Sequence, residues 1–280
     1  MNPTIGVTGV TGNLGAKVAA RLADRGLAQR LLARRPQAVP DFPNAEVVAV
    51  DYADPKGAGE ALEGVETLFM VSAKESADRV DVHRAFVDAA ARAGVRHLVY
   101  TSFYGAAPDA VFTLARDHWA TEEHIRASGM QWTFLRDNMY LDLMPMLGGP
   151  DGVIRGPAGH GEFSPVAQDD IADVAVAVLV NPSDHAGQTY DLTGPEQMSV
   201  DAAAALLTEL TGRQLRYVEE TLTEAYASRA SYNAPDWEVD AWVSTYLAIA
   251  AGEMAGISDC VERIAGHRPM SLRELLSRSS

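Results

Sequence analysis

The sequence predicts an α/β protein with a Rossmann-type doubly wound parallel sheet and a smaller, mostly helical C-terminal lobe. Glycines at positions 9, 12 and 15 join a short apolar run to an amphipathic one near the start of the chain. Short apolar runs then alternate with segments of helix length as far as residue 136, and beyond that point the pattern changes. Such an alternation is typical of parallel strands with helices on both faces of the sheet.

Residues 8–15 lie between the first predicted strand, residues 4–7, and the first predicted helix. Gly9 permits a tight turn, Gly12 lets the backbone approach a pyrophosphate, and Gly15 lets the helix pack on the strand. The free N–H groups at the start of the helix then face the phosphates. The alternative is an ordinary glycine-rich connection. In this context the motif predicts a dinucleotide site that includes Gly9, Thr11, Gly12, Asn13, Leu14 and Gly15.

Two arginines follow the second predicted strand, residues 29–33, where folds of this kind contact the adenosine ribose. An acidic residue there binds the 2′-hydroxyl of NAD, whereas arginine accommodates the 2′-phosphate of NADP. Arg34 and Arg35 occupy the position and no acid does, which favours NADPH as the cofactor. The alternative is a solvated loop. Asp51 and Tyr52 end the third predicted strand, residues 46–50, where a polar side chain is placed to contact adenine.

The next four elements extend the predicted sheet domain. They are a helix at 55–62, a strand at 66–71, a helix at 78–93 that Gly94 caps, and a strand at 97–100. In open α/β sheets the ligand lies beyond the carboxyl ends of the strands. We therefore expect the cofactor to contact the residues that end the fourth and fifth strands, which are Val71, Ser72, Ala73, Thr101 and Ser102.

The second half of the chain is predicted to form the last elements of the sheet domain and all elements of the smaller lobe. These are a helix at 116–128, a strand at 131–136, a helix at 170–180, a strand at 188–192 and a mostly helical tail from Ser199. Residues 148–165 hold six glycines and three prolines, which predicts a loop-rich insert. We expect an NADP-binding domain of residues 1–135 plus about 166–195, and a smaller substrate-covering lobe of residues 136–165 and 196–280.

Composition argues against several classes of partner. A formal net charge of −15 without a basic run argues against nucleic acid. No apolar run approaches the roughly 20 residues of a membrane span, and the early first strand leaves no room for a signal peptide, so we expect a cytoplasmic protein. The single Cys260 and the spacing of the histidines predict no metal site. A homodimer is compatible with the sequence, which does not set the oligomeric state.

Reductases of the short-chain dehydrogenase superfamily usually carry Tyr-x-x-x-Lys on the helix after strand five, where the lysine lowers the pKa of the tyrosine. Only Lys56, one of three lysines, has a tyrosine four residues before it, and this pair follows strand three. The predicted helix at 116–128 contains neither tyrosine nor lysine. The sequence therefore predicts chemistry that does without this acid.

Several of these motifs together resemble the NmrA-like, atypical short-chain dehydrogenase family. The shared stretches are residues 8–15, 34–36, 51–52, 100–102, 118–122 and 133–140. Within that family the sequence is most similar to the branch of NAD(P)H:quinone oxidoreductase type 2 and triphenylmethane reductase. The residue after Arg136 is usually asparagine in this pattern. Here it is Asp137, followed by Asn138, which leaves open which of the two faces the substrate.

The resemblance implies an NADPH-dependent reductase that transfers a hydride to a quinone or similar aromatic acceptor. A reduced quinone is a delocalised anion that a weak acid can protonate, and a triarylmethyl cation requires no proton, so both suit the missing acid. The alternatives are an NADP(H)-binding redox sensor that regulates a partner protein, and an isomerase. Three alternatives are open for His118: contact with the nicotinamide ribose, donation of a proton, or a place on the surface of its helix. The candidate acceptor-site residues are Phe103, Tyr104, His118, Asn138 and Tyr140.

Overall fold

The computed structural model describes residues 4–278 and contains a sheet whose strands alternate with helices. The strands are β1 (Ile5–Thr8), β2 (Gln29–Ala33), β3 (Ala45–Ala49), β4 (Thr67–Met70), β5 (His97–Phe103), β6 (Gln131–Asp137), β7 (Val153–Gly156), β8 (Glu162–Phe163), β9 (Gln188–Leu192), β10 (Met198–Ser199) and β11 (Arg216–Glu219). The α-helices are α1 (Asn13–Asp24), α2 (Pro55–Leu62), α3 (Arg79–Ala93), α4 (Thr113–Ala127), α5 (Gln168–Val180), α6 (Val200–Thr211), α7 (Leu222–Arg229), α8 (Asp236–Ala250), α9 (Cys260–Ala265) and α10 (Leu272–Arg278). None of the described helices is long and apolar enough to cross a membrane.

Seven strands form the central sheet in the spatial order β3-β2-β1-β4-β5-β6-β9, and every pair in it is parallel. The order runs outward from β1 on one side and from β4 on the other. Ligands of such sheets bind in the crevice beyond the carboxyl ends of the strands at this reversal. The arrangement confirms the predicted doubly wound α/β fold and predicts a ligand crevice at the ends of β1 and β4.

Alternate side chains of the strands build a core on each face of the sheet. Leu31 and Phe69 lie in the core that also holds α1 and α5, whereas the neighbouring Leu32 and Leu68 lie in the core of α2 and α3. This alternation follows from the period of two residues in an extended strand. Because helices cover both faces, the central strands β4 and β5 contain short continuous apolar runs, residues 68–70 and 98–100.

Strand β5 is longer than the sequence indicates. The prediction ended it at Tyr100, but it continues to Phe103, which lies opposite Asp137 in the register with β6. The polar residues Thr101 and Ser102 resembled the start of a loop, yet both are buried within the strand pairing. The predicted boundary was wrong because pairing with β6, rather than the polarity of the local sequence, decides where β5 ends.

Residues 148–165 are more regular than predicted. They contain β7, which pairs in parallel with β11, and β8, which pairs antiparallel with β10. A Cβ atom on Gly156 would lie 2.4 Å from the ring of Tyr246, and one on Gly161 would lie 2.0 Å from the carbonyl oxygen of Ile249. Outside β7 and β8 the insert is loop, as expected, but these two glycines allow α8 to approach closely rather than forming turns.

A third core lies in the C-terminal part of the chain. Its buried residues include Ile154, Phe163, Leu207 and Ile249, which come from both segments that the sequence assigns to the smaller lobe. Helix α9 differs, since its Val261 packs in the core of α1 and α5. We keep the division into two lobes as a proposal, and its ends at residues 1–3 and 279–280 lie outside the described residues.

The close approach at Gly161 distinguishes it from other glycines of the chain. Gly161→Ala should lower stability by about 1–3 kcal/mol, because the added methyl group must displace the backbone of α8. The matched control is Gly59→Ala in α2, where a new Cβ meets nothing within 4 Å and alanine favours the helix by roughly 1 kcal/mol. The urea midpoints of the two variants should move in opposite directions. Midpoints that stay equal would contradict this packing of α8.

Candidate functional site

The turn between β1 and α1 brings the start of the helix against the end of the strand. Gly9 has φ +66°, which favours glycine, and its carbonyl oxygen accepts a hydrogen bond of 2.9 Å from the N–H of Gly12. A Cβ on Gly15 would lie 2.4 Å from the backbone of Gly9, so only glycine fits there. Gly12 is the N-cap of α1 and has no side chain to bond the first N–H groups of the helix. These groups therefore suit an anionic phosphate.

A groove of about 520 Å³ runs past this turn along the carboxyl ends of β1–β4. Asn13, Leu14 and Gly15 form the adjoining first turn of α1. Arg35, Thr101 and Ser102 do not line the groove. The predicted cofactor residues that line it are Gly9, Thr11, Arg34, Asp51, Tyr52, Val71, Ser72 and Ala73. We propose that an extended dinucleotide lies in this groove, with its phosphates at α1 and its adenosine end near Arg34.

Thr101 and Ser102 lie within β5, and their hydroxyl groups bond protein atoms. Thr101 Oγ1 accepts a hydrogen bond of 2.9 Å from the backbone N–H of Ser72. Ser102 Oγ donates one of 2.6 Å to the buried carboxylate of Glu122. Tyr52 lines the groove with its ring, while its hydroxyl donates to Thr8 Oγ1 over 2.7 Å. The contribution of Thr101 is therefore to hold the wall formed by Ser72.

Residues 72–75, which connect β4 to α3, are a wall shared by the groove and a second cavity. Two side chains of α3 hold this wall. The N–H of Ala73 donates to Nε2 of His83 over 2.8 Å, and the carbonyl oxygen of Ala73 accepts from Nε of Arg79 over 3.1 Å. Burial lowers the pKa of His83 to about 3, so its ring is neutral and Nε2 can accept.

The second cavity, which we call the acceptor cavity, has a volume of about 470 Å³ and adjoins the groove at residues 72–75. Of the five predicted acceptor-site residues, four line it: Phe103, His118, Asn138 and Tyr140. The fifth, Tyr104, does not, and its hydroxyl donates to the carbonyl oxygen of Ala255 over 2.6 Å. The remaining walls are largely apolar and include Phe112, Leu114, Met139, Met144 and Leu147.

His118 is buried, so the alternative that it is a surface histidine of its helix was wrong. Its Nε2 lies 3.2 Å from a guanidinium nitrogen of Arg79, which can only donate, and its Nδ1 lies 2.9 Å from the hydroxyl of Tyr100. Nε2 therefore accepts and Nδ1 carries the hydrogen. Burial, together with the charge of Arg79, holds the pKa of His118 well below its usual range. The imidazole is neutral and already has a partner at each nitrogen.

Asp137 and Asn138 both line the acceptor cavity, but their side chains differ in what they bond. The amide of Asn138 donates to the carbonyl oxygen of Met254 over 2.9 Å and accepts from the N–H of Met139. Asp137 accepts a hydrogen bond of 2.8 Å from the hydroxyl of Tyr140. Burial raises the pKa of Asp137 to about 8 and also raises that of Tyr140. At neutral pH Asp137 is therefore mostly a carboxylic acid that can donate its proton.

Two residues of this site, Arg79 and His83, were missed by reasoning from the sequence, and so was the protonation of Asp137. Arg79 and His83 are one helical turn apart at the start of the helix that follows β4, a spacing that could have placed both near the end of that strand. His83 was predicted to be a surface or satisfied histidine, and the structure shows it buried and bonded. Asp137 was noted for its departure from the family pattern, but its protonation depends on burial, which the sequence does not report.

Comparison with known proteins gives a family match and full-length similarities to several reductases. A family model described as NAD(P)H-binding matches residues 9–182. The chain is 31% identical to the NAD(P)H azoreductase of Xenophilus azovorans, covering 96% of this chain and 95% of that protein. It is similar to the structure of an NADPH-dependent quinone oxidoreductase of Escherichia coli complexed with NADPH, at 28% identity and a TM-score of 0.87, covering 98% and 99% of the two chains. The triphenylmethane reductase of Citrobacter sp. complexed with NADP(H) is 26% identical with a TM-score of 0.82, covering 99% and 100%.

The groove gives the two adjacent arginines different expected roles, because Arg34 lines it and Arg35 does not. Arg34→Ala should raise the Kd for NADPH by about tenfold to a hundredfold, the value of a hydrogen-bonded contact with a charged phosphate. The Kd for NADH, which lacks the 2′-phosphate, should change much less. Arg35→Ala is the matched control. Equal losses for the two cofactors in Arg34→Ala would rule out its contact with the 2′-phosphate.

Proposed function

This chain belongs to the NAD(P)H-binding family, in the quinone oxidoreductase and triphenylmethane reductase branch of NmrA-like proteins, and from that premise we propose that it transfers a hydride from NADPH to a quinone or similar conjugated aromatic acceptor. Its similarity to reductases over nearly the full chain makes it an NAD(P)H-dependent oxidoreductase. What we propose is the class of acceptor and the roles of the site residues.

The observation that carries the proposal is the position of the acceptor cavity. It meets the cofactor groove at residues 72–75, and aromatic rings of Phe103, Phe112 and Tyr140 line it. A flat acceptor between such rings would lie beside the part of the cofactor that passes Ser72 and Ala73. Stacking a flat acceptor on the nicotinamide and excluding water are the main demands of hydride transfer to a conjugated ring. An apolar, aromatic cavity at this place meets both demands.

Two features support NADPH as the cofactor. Arg34 lines the groove just beyond the end of β2, where a 2′-phosphate is read, and no acidic residue follows that strand directly. The quinone oxidoreductase and triphenylmethane reductase structures to which the chain is similar contain NADPH and NADP(H). When bound, NADPH supplies the hydride. The protein must then position the acceptor and manage the charge that develops on it.

Arg79 and Asp137 divide that task between them. The guanidinium of Arg79 lies in the wall of the acceptor cavity, where its positive charge stabilises negative charge that develops on the acceptor oxygen. Asp137 then donates its proton to that oxygen and recovers one from water. The acceptor thus gains a hydride and a proton, and the carboxyl group returns to its starting state. His118 and Tyr100 hold Arg79 in place through the hydrogen bond to Nε2 of His118.

The proposal is tested by NADPH oxidation with a panel of quinones, azo dyes and one triarylmethane dye. We expect turnover with members of the panel, and Tyr140→Ala should lower kcat/KM by about 100-fold because the acceptor loses a wall of its cavity. Tyr226→Ala is the matched control, since this tyrosine is 41% exposed on α7, away from the cavity. Tight NADPH binding without oxidation by any acceptor would instead indicate a redox sensor.

The role of Asp137 predicts a pH dependence that differs between acceptors. Its acid form is present below its pKa of about 8 and is lost as the pH rises through that value, so the kcat for a quinone should fall above about pH 8. Asp137→Asn should remove this fall and lower the quinone rate on the order of 10²-fold. A cationic triarylmethane dye needs no proton, so its rate should not fall above pH 8. The same high-pH fall for both acceptors in the wild type would exclude Asp137 as the acid.

A further inference from the structure

A third cavity lies beyond the acceptor cavity, in the C-terminal part of the chain. We call it the lobe chamber. It has a volume of about 610 Å³, against about 470 Å³ for the acceptor cavity. Elements that build it come from the insert and from the helical tail, and its walls include Ile154, Phe163, Val200, Trp242, Tyr246 and Ile249. It is therefore large enough to hold part of a ligand, and none of the roles proposed above uses it.

The lobe chamber adjoins the acceptor cavity. Met139, Leu147 and Thr245 line both spaces, just as residues 72–75 line both the acceptor cavity and the cofactor groove. The three spaces thus follow one another from the groove, through the acceptor cavity, to the lobe chamber. A molecule whose ring lies in the acceptor cavity has space for a substituent that points away from the cofactor.

The chemistry of the chamber favours an uncharged, apolar group. Its two arginines are neutralised by partners of their own: Arg155 pairs with Asp151 at 2.7 Å, and Arg229 pairs with Glu220 at 3.1 Å. Arg229 also donates to the carbonyl oxygen of Arg155 over 2.8 Å. Each of these cations already has a carboxylate partner within the protein, so an anionic ligand group gains less from them than from an unpaired arginine.

The rim of the lobe chamber is apolar as well as its walls. Met146 is 69% exposed and Tyr232 is 66% exposed, and the ring of Tyr232 packs edge-on against Trp242 with centroids 5.6 Å apart. Large exposed apolar side chains grouped around a cavity mark a place where an apolar group binds. The rim, the walls and the paired arginines point to the same kind of ligand.

We propose that the lobe chamber is a second substrate subsite, which binds an uncharged alkyl or aryl substituent of the acceptor while the ring to be reduced lies in the acceptor cavity. The inference rests on the proposed function, since it takes the acceptor cavity as the place of the ring. It predicts a preference for aromatic acceptors that carry an apolar substituent. Acceptors without such a substituent also bind, but more weakly than those that carry it.

The test uses a naphthoquinone and its derivatives with successively longer alkyl chains on the ring. Their Kd values are measured by titration calorimetry on protein saturated with NADP⁺, so that binding is read without turnover, and kcat/KM is measured with NADPH. Each methylene group buried in the chamber should tighten binding about fourfold until the chamber is filled. The ratio of the alkylated to the unalkylated compound is compared within each protein.

Two variants on α7 test whether the chamber is the place of the chain. Ser228→Trp puts a bulky ring into the chamber from an exposed helical position and should abolish the gain with chain length. Ala227→Trp, at the next exposed position, does not line the chamber and should keep the gain. An equal gain in both variants, or no gain in the wild type, would overturn the subsite. Failure of every quinone to be reduced, with the calorimetric gain intact, would overturn the proposed function but not the chamber.

Discussion

The backbone of Ala73 is held from both sides, and the arrangement of the site depends on it. His83 accepts a hydrogen bond from the N–H of Ala73, and Arg79 donates one to its carbonyl oxygen. One turn of α3 therefore fixes the wall between the cofactor groove and the acceptor cavity. Thr101 adds a third bond through the N–H of Ser72. Because this wall belongs to both spaces, its position would set the distance between the cofactor and the acceptor in the proposed arrangement. A small shift of such a wall is costly for hydride transfer, which requires close and aligned partners.

Burial decides the charges around this wall. It keeps His83 and His118 neutral and raises the pKa of Asp137 to about 8. Arg79 therefore contributes positive charge to a cluster in which His83, His118 and Asp137 are mostly uncharged at neutral pH, and the carboxylate of Asp117 lies 4.0 Å from its guanidinium. In the proposed mechanism Arg79 stabilises the anion and Asp137 supplies the proton that neutralises it. This division differs from a Tyr-x-x-x-Lys pair, in which the lysine lowers the pKa of the tyrosine that gives up the proton.

The local patterns in the sequence were sufficient for the sheet and for the phosphate end of the groove. β2, α2 and β9 have the bounds that apolar periodicity and capping residues indicate, since these signals lie within each segment. The glycines of the β1–α1 turn also act locally, through the φ of Gly9 and the contact at Gly15. Such features can be predicted because neighbours in the chain determine them.

Features set by distant residues were not predictable in this way. The insert pairs with strands far along the chain, and Gly156 is explained by the ring of Tyr246 rather than by a turn. Arg79 meets His118 across 39 residues, and that contact, with burial, makes the histidine a neutral internal group. No periodicity in the sequence reports such a pair. The contacts on which the proposed catalytic roles depend therefore follow from the fold.

The central claim, hydride transfer from NADPH to an aromatic acceptor, is tested most directly by following the hydrogen itself. NADPH that carries deuterium at both C4 positions of the nicotinamide is incubated with the protein and a triarylmethane dye, and the mass of the colourless product is measured by mass spectrometry. Hydride transfer places deuterium on the central carbon, where it does not exchange with water. The account predicts a product heavier by one deuterium. Reduced dye without deuterium, or NADPH that binds and is never oxidised, would contradict it.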